Sequence, residues 1–183
     1  TLYPSSFNVL QEPSTSEIEY QNLLWSEQLG AYMSVSELAA MIDRKAQFVV
    51  GKGYKSEKDL SHIKGNGLDS FNMIMYNAVR TYTIGGDFFA EKIRNARGEL
   101  RNLKPLNPGI VRIKANSGGV INGYEIYPDA TVTGEKGDAI KFDADEIFHL
   151  PYNRIADQIH GQSVIAKLLP IINMRQEAMN DLR

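Results

Sequence analysis

Five side chains capable of chemistry crowd one short stretch: Asp138, Asp143, Asp145, Glu146 and His149. Carboxylates beside an imidazole suit a divalent metal, and a bound metal can activate water for hydrolysis. Spacing narrows the idea. On a strand, positions 145, 147 and 149 share a face and Glu146 takes the other. At most Asp145 and His149 converge, which is two ligands. The plainer reading is an acidic turn followed by a histidine hydrogen-bonded to its neighbours.

The other candidates are weaker. His62 and His160 stand in polar loop contexts, and neither has a nearby carboxylate or nucleophile arrangement. Ser163 follows Gly161 with one residue between, but Ile165 stands where a nucleophile elbow needs glycine. It reads as a helix N-cap, its hydroxyl accepting from a first-turn amide. Gly51-Lys-Gly53 and Gly65-Asn-Gly67 lack the spacing of a phosphate loop and read as turns. Tyr76, Tyr82, Tyr124, Tyr127 and Tyr152 are scattered, which suits packing better than base stacking. Lys167, Arg175 and Arg183 sit on a terminal helix, each roughly 80° round from the last, so they make no single stripe. They read as a solvated face or as intersubunit ion pairs; contact with DNA phosphates is the alternative.

Composition bounds the possibilities. The chain has 183 residues, 43% hydrophobic and 23% charged, with net charge −2. That is enough apolar material for a core and no basic field for gripping nucleic acid. It has no cysteine, which removes disulfides, thiolate zinc sites and cysteine nucleophiles. No apolar run approaches the roughly 20 residues of a membrane span, and no signal peptide stands at the start. No cofactor motif appears. The chain opens on Thr1 and closes on Arg183 within a helical pattern, so a piece of a longer polypeptide is expected.

The elements that must position these residues follow from period. Residues 1–15, with Pro4 and Pro13, read as an extended lead-in. Residues 16–160 read as an α+β domain, and 161–183 as the start of a long helix. Ser16 to Leu29 has helical spacing. Ser34-Val-Ser-Glu37 reads as a capping box for a helix ending at Gly51. Asp69 or Ser70 caps a third helix that stops at Gly85-Gly86. The period then shifts from 3.6 to about 2. Short, mainly antiparallel strands are expected at 87–94, 100–103, 110–114, 124–127, 139–142 and 147–150. Pro105 and Pro108 are expected to interrupt pairing. From Gly161 the helical period returns. Pro170 predicts either a kink or two helices meeting there.

Four local patterns, in order, resemble the portal proteins of tailed bacteriophages. They are Ile84-Gly-Gly-Asp-Phe-Phe-Ala90 after a helix, Leu100-Arg-Asn-Leu-Lys-Pro-Leu-Asn-Pro-Gly-Ile-Val111, Phe142-Asp-Ala-Asp-Glu-Ile-Phe-His-Leu150, and Asp157-Gln-Ile-His-Gly-Gln-Ser163 opening a long helix. The likeness spans roughly residues 33–183. The family usually has proline directly after the serine; here Val164 takes that place. The resemblance implies a wing domain and the start of a stem helix. It gives structural roles to Gly85, Pro105, Asp145, His149, Gly161 and Ser163, and places Lys167, Arg175 and Arg183 near the channel or a neighbour. It further implies a non-catalytic subunit of a twelve-membered ring at the capsid vertex of a virion, assembled in the host cytoplasm, through which double-stranded DNA is packaged and ejected. The partners it implies are other copies of the chain, a terminase motor, and capsid and head-completion or tail-adaptor proteins. Two other readings stay open from the residues: a metal-dependent hydrolase or nuclease using Asp145 and His149, and a non-viral α+β binding module.

Overall fold

The computed structural model describes residues 18–128 and 139–181. The expected lead-in of residues 1–15, Asp138 and Arg183 lie outside the described residues. In chain order the elements are β1 (Ile18–Gln21), α1 (Trp25–Ser34), α2 (Ser36–Val50), α3 (Phe71–Gly85), β2 (Asp87–Arg94), β3 (Leu100–Leu106), a 3₁₀ turn at Pro108–Ile110, β4 (Val111–Ala115), β5 (Ile121–Ile126), β6 (Ile140–Asp143), β7 (Ile147–Pro151) and α4 (Val164–Asp181). The fold is α+β: β1 leads into three helices, antiparallel strands follow, and one long helix comes last.

The strands form two sheets, ordered β1-β4-β5-β6 and β3-β2-β7. Every pairing is antiparallel. Alternation explains how they stack. β4 buries Val111, Ile113 and Ala115 and turns Arg112 and Lys114 outward. Its apolar face meets Phe89 and Ile147 of the smaller sheet, with Tyr124 and Ile126 from β5. Phe88 points to the opposite face of β2, where it packs with Ile74 and Ala78 of α3. Thus β2 is buried on both faces, which is why its first half is apolar without alternation. A separate helical core joins Ala31, Leu38, Ile42 and Ile84 to Ile165 and Leu169 of α4.

Several expectations need correction. Ser16 to Leu29 is not one helix. Residues 18–21 form β1, with Ile18 opposite Ala115 and Gln21 opposite Arg112. Glu19 meets Lys114 at 2.6 Å and Arg112 at 3.3 Å. Long-range pairing overrides the helical spacing there, since local propensity is a weak prior. The capping box does not form. Ser34 ends α1, Val35 takes the cap position with no side-chain bond, and the Ser36 hydroxyl bonds Glu37 instead. Ser70 does cap α3, accepting from the Met73 amide.

Pro105 does not interrupt β3, which runs on to Leu106 with Pro105 opposite Ala90. The reason is geometric. Lys92 donates its amide to Glu146, so even-numbered residues of β2 spend their polar groups on β7. Pro105, opposite one of these, turns its nitrogen to the open edge, where no donor is needed. Finally, α4 runs unbroken through Pro170 rather than splitting into two helices.

Candidate functional site

The site grows from a sharp reversal. Gly86 caps α3 in the left-handed region at φ 95°, and the next residue, Asp87, already opens β2. That places a carboxylate at the head of the central strand of a sheet, 2% exposed. Such a group must be paired or neutralised.

Asp87 is fully engaged. Its Oδ1 accepts from His149 Nε2 at 2.8 Å and from the Gly161 backbone amide at 2.9 Å. Its Oδ2 accepts from His160 Nδ1 at 2.8 Å. An ionised carboxylate only accepts, so each imidazole nitrogen facing it carries the hydrogen. The far nitrogen of His149, Nδ1, lies 3.3 Å from the Tyr124 hydroxyl. The Phe89 ring, directly across the strand pair, stacks on His149 at 4.5 Å.

Burial pushes the Asp87 carboxyl up, but bonds from His149, His160 and the Gly161 amide, with the His160 charge, outweigh it and hold it at about 2. Burial raises the Tyr124 phenol, helped by the Asp87 charge, to about 12. The cluster is therefore a buried anion with its donors already in place. Among the described residues no group of three His, Asp or Glu side chains is arranged to hold a metal ion.

The knot positions the terminal helix. The Gly161 amide is anchored on Asp87, and Gln162 N–H bonds the Tyr152 carbonyl at 2.7 Å. Two residues on, Ser163 accepts from Ala166 N–H at 3.0 Å, the expected N-cap, while its hydroxyl donates to the Ile84 carbonyl at the end of α3. Together these bonds fix where α4 leaves the sheets and lean its first turns on α3.

The remaining expected residues fall elsewhere. Gly85 lies against Trp25; a Cβ there would sit 2.7 Å from the indole. A Cβ on Gly109 would come equally close to the Cδ1 of the same indole. Asp145 is exposed in the turn before β7, and its backbone oxygen accepts from Arg94. His149 is directed at Asp87, and no hydrogen bond or ion pair joins it to Asp145. Lys167 bonds the Gln162 amide oxygen at 3.0 Å. Arg175 pairs with Glu37 of α2 at 3.1 Å, both side chains open to solvent. His62 Nε2 lies 3.2 Å from the Leu100 carbonyl.

Sequence reasoning missed Asp87, and it left His160 without a carboxylate. The signal for Asp87 was present: an acid heading Phe-Phe-Ala, an apolar run, needs a partner. Its partners, 62 and 73 residues away, had no local mark.

No family model and no curated protein matches the sequence. Solved structures do share the fold. A chain in the virion of the native gene transfer agent (GTA) particle superposes with TM-score 0.68 at 15% identity, over 87% of this chain and 44% of that one. A chain in the neck of the empty GTA particle, computed with C6 symmetry, gives 0.66 at 15% identity, over 87% and 45%. A chain in the neck of the native GTA particle, computed with C12 symmetry, gives 0.58 at 14% identity, over 85% and 45%. The present chain spans less than half the length of these chains. At such identities the likeness is one of fold.

Proposed function

We propose that this chain is a structural part of a phage-like particle, sited at the neck between head and tail, where copies of the protein close a portal ring around double-stranded DNA. The observation that carries the reading is the shared fold, over 87% of the chain, with components of a GTA virion and neck. Those neck structures were computed with C6 and C12 symmetry, which suits a closed ring of identical subunits joined by heterologous contacts.

The site supports the same reading. Three of the four portal-like patterns meet at one knot: Gly86 and Asp87 from the first, His149 from the third, Gly161 and Ser163 from the fourth. Their work is to hold α4 at a set angle, a task for a scaffold. Asp87 has both oxygens filled and almost no exposure to solvent, so it is poorly placed for acid–base chemistry. In this reading the subunit is non-catalytic, and a separate terminase motor drives the DNA. Capsid and head-completion or tail-adaptor proteins dock on the ring. The net charge of −2 suits a channel that passes a polyanion without holding it.

Electron microscopy and native mass spectrometry of the full-length protein test the proposal. Closed rings, twelvefold in the particle, are the expected result. A protein that stays monomeric at high concentration, and is missing from purified particles, would overturn it.

A further inference from the structure

Two apolar surfaces of this chain lack a partner among the described residues, and they are complementary. The first is a cavity of about 700 Å³ between α2, α3 and the outer face of the smaller sheet. Val49, Tyr54, Met75, Leu103, Phe148 and Leu150 are among its walls, and no carboxylate is. Its charged lining residue is Lys92, and the Lys45 ammonium lies 3.9 Å from the Tyr152 ring and 5.6 Å from that of Tyr82, another wall residue. The apolar surface continues past the rim: Val49 is half exposed and Phe48 is 89% exposed.

The second surface is on α4. Ile165, Leu168, Leu169 and Ile172 face the helical core. Ile171, Met174 and Ala178 lie on another flank, roughly 130° round the helix. All three are exposed. Glu177 and Asp181 border that flank, exposed and with no ion pair among the described residues. A helix that is apolar on two flanks is built to be covered on both. The spacing 171, 174, 178 is that of a helix seated in an apolar groove.

We infer that the outer flank of α4 seats in the apolar cavity of a second copy of this chain, with Ile171, Met174 and Ala178 as anchors and the Glu177–Asp181 edge facing Lys92 and Lys45. The inference rests on the proposed ring and names its joint. The contact is heterologous, helix of one copy into groove of the next, so it can repeat until it closes. Charge agrees with shape toward the end of the helix: the groove offers cations and its lining no acids, and the helix edge offers acids beside its apolar stripe, while Lys167, in line with the stripe one turn before Ile171, is bonded to Gln162. The same sign pattern disfavours groove on groove or helix on helix.

These 183 residues contain no cysteine, so with any cysteine elsewhere in the full-length protein replaced by serine, disulfide cross-linking gives a clean test. Two full-length variants, Val49→Cys and Met174→Cys, change exposed side chains only. Assembled together under mild oxidation they should give a band at twice the monomer mass, and either alone should give none. The double variant should give a ladder of multimers. Met174→Glu should abolish assembly at concentrations where the unmodified protein is fully assembled. Rings that form without any mixed cross-link, and survive Met174→Glu, would overturn this joint while leaving the ring itself intact. No rings from the unmodified protein would remove both.

Discussion

Gly161 and Gly86 touch through their backbones, closely enough that a Cβ on Gly161 would overlap the Gly86 carbonyl oxygen, and one on Gly86 would come within 2.5 Å of the Gly161 oxygen. The chain ends of α3 and α4 are thus packed main chain to main chain. Tyr152 completes the contact, giving its amide to Gly86 at 2.8 Å and taking that of Gln162. Neither glycine has room to become anything else.

Gly161→Ala should therefore destabilise the protein by about 3 kcal/mol, the upper end for overpacking, since backbone cannot give way as a side-chain tip can. Gly30→Ala, in α1 with nothing within 4 Å, is the contrast. It should stabilise by about 0.5–1 kcal/mol through helix propensity and lost unfolded-state freedom. Urea unfolding of both variants reads the two signs side by side.

Asp87 sets an acid limb. Its pKa is about 2 folded, against an ordinary value of 3.8. The folded state binds the proton less well, so the group's stabilisation is complete above about pH 4 and drains as pH falls toward 2. Its size is about 2 kcal/mol. Between pH 5 and pH 2.5 the unfolding midpoint should fall in the unmodified protein and fall less in Asp87→Asn. A parallel fall in both would show that the slope belongs to other groups.

Ser163→Ala removes two bonds at once, the cap to Ala166 and the donation to Ile84. A loss of about 2 kcal/mol is expected, the upper end for a cap, because the Ile84 carbonyl loses its partner as well. Amide hydrogen exchange should quicken first in the opening turn of α4. Even protection across the helix would argue against the cap.

Trp25 is the chain's one tryptophan, which makes its seat visible in fluorescence. Its indole rests against Gly85 and Gly109, each of which would press a Cβ to 2.7 Å. Gly109→Ala should shift emission to longer wavelength as the ring moves toward water, and cost about 1–3 kcal/mol. Unchanged emission would mean that the ring sits elsewhere in solution.

Local chemistry was legible in the sequence where neighbours within one turn decide the outcome. Ser70 and Ser163 cap helices because a hydroxyl there meets an amide three residues on. Gly51 and Gly86 end helices because they take positive φ. The change of period at Asp87 marked the switch from helix to strand. Residues 18–21 misled because their fate is decided by β4, more than 90 residues later, which supplies Arg112 and Lys114 to Glu19. Pro105 misled because edge position is a property of the sheet and not of the strand.

The sequence by itself determined the order of elements from α2 onward, the α+β class, the absence of cysteine from these residues and the motif resemblance, since composition, period and capping act over a few residues. The tertiary structure alone decided that Asp87, His149 and His160 meet, that Trp25 rests against two glycines, and that α4 carries a covered flank and an open one. The reason is physical. A buried carboxylate must find donors wherever the fold brings them, and which face of a helix is covered depends on neighbours that its own sequence does not name.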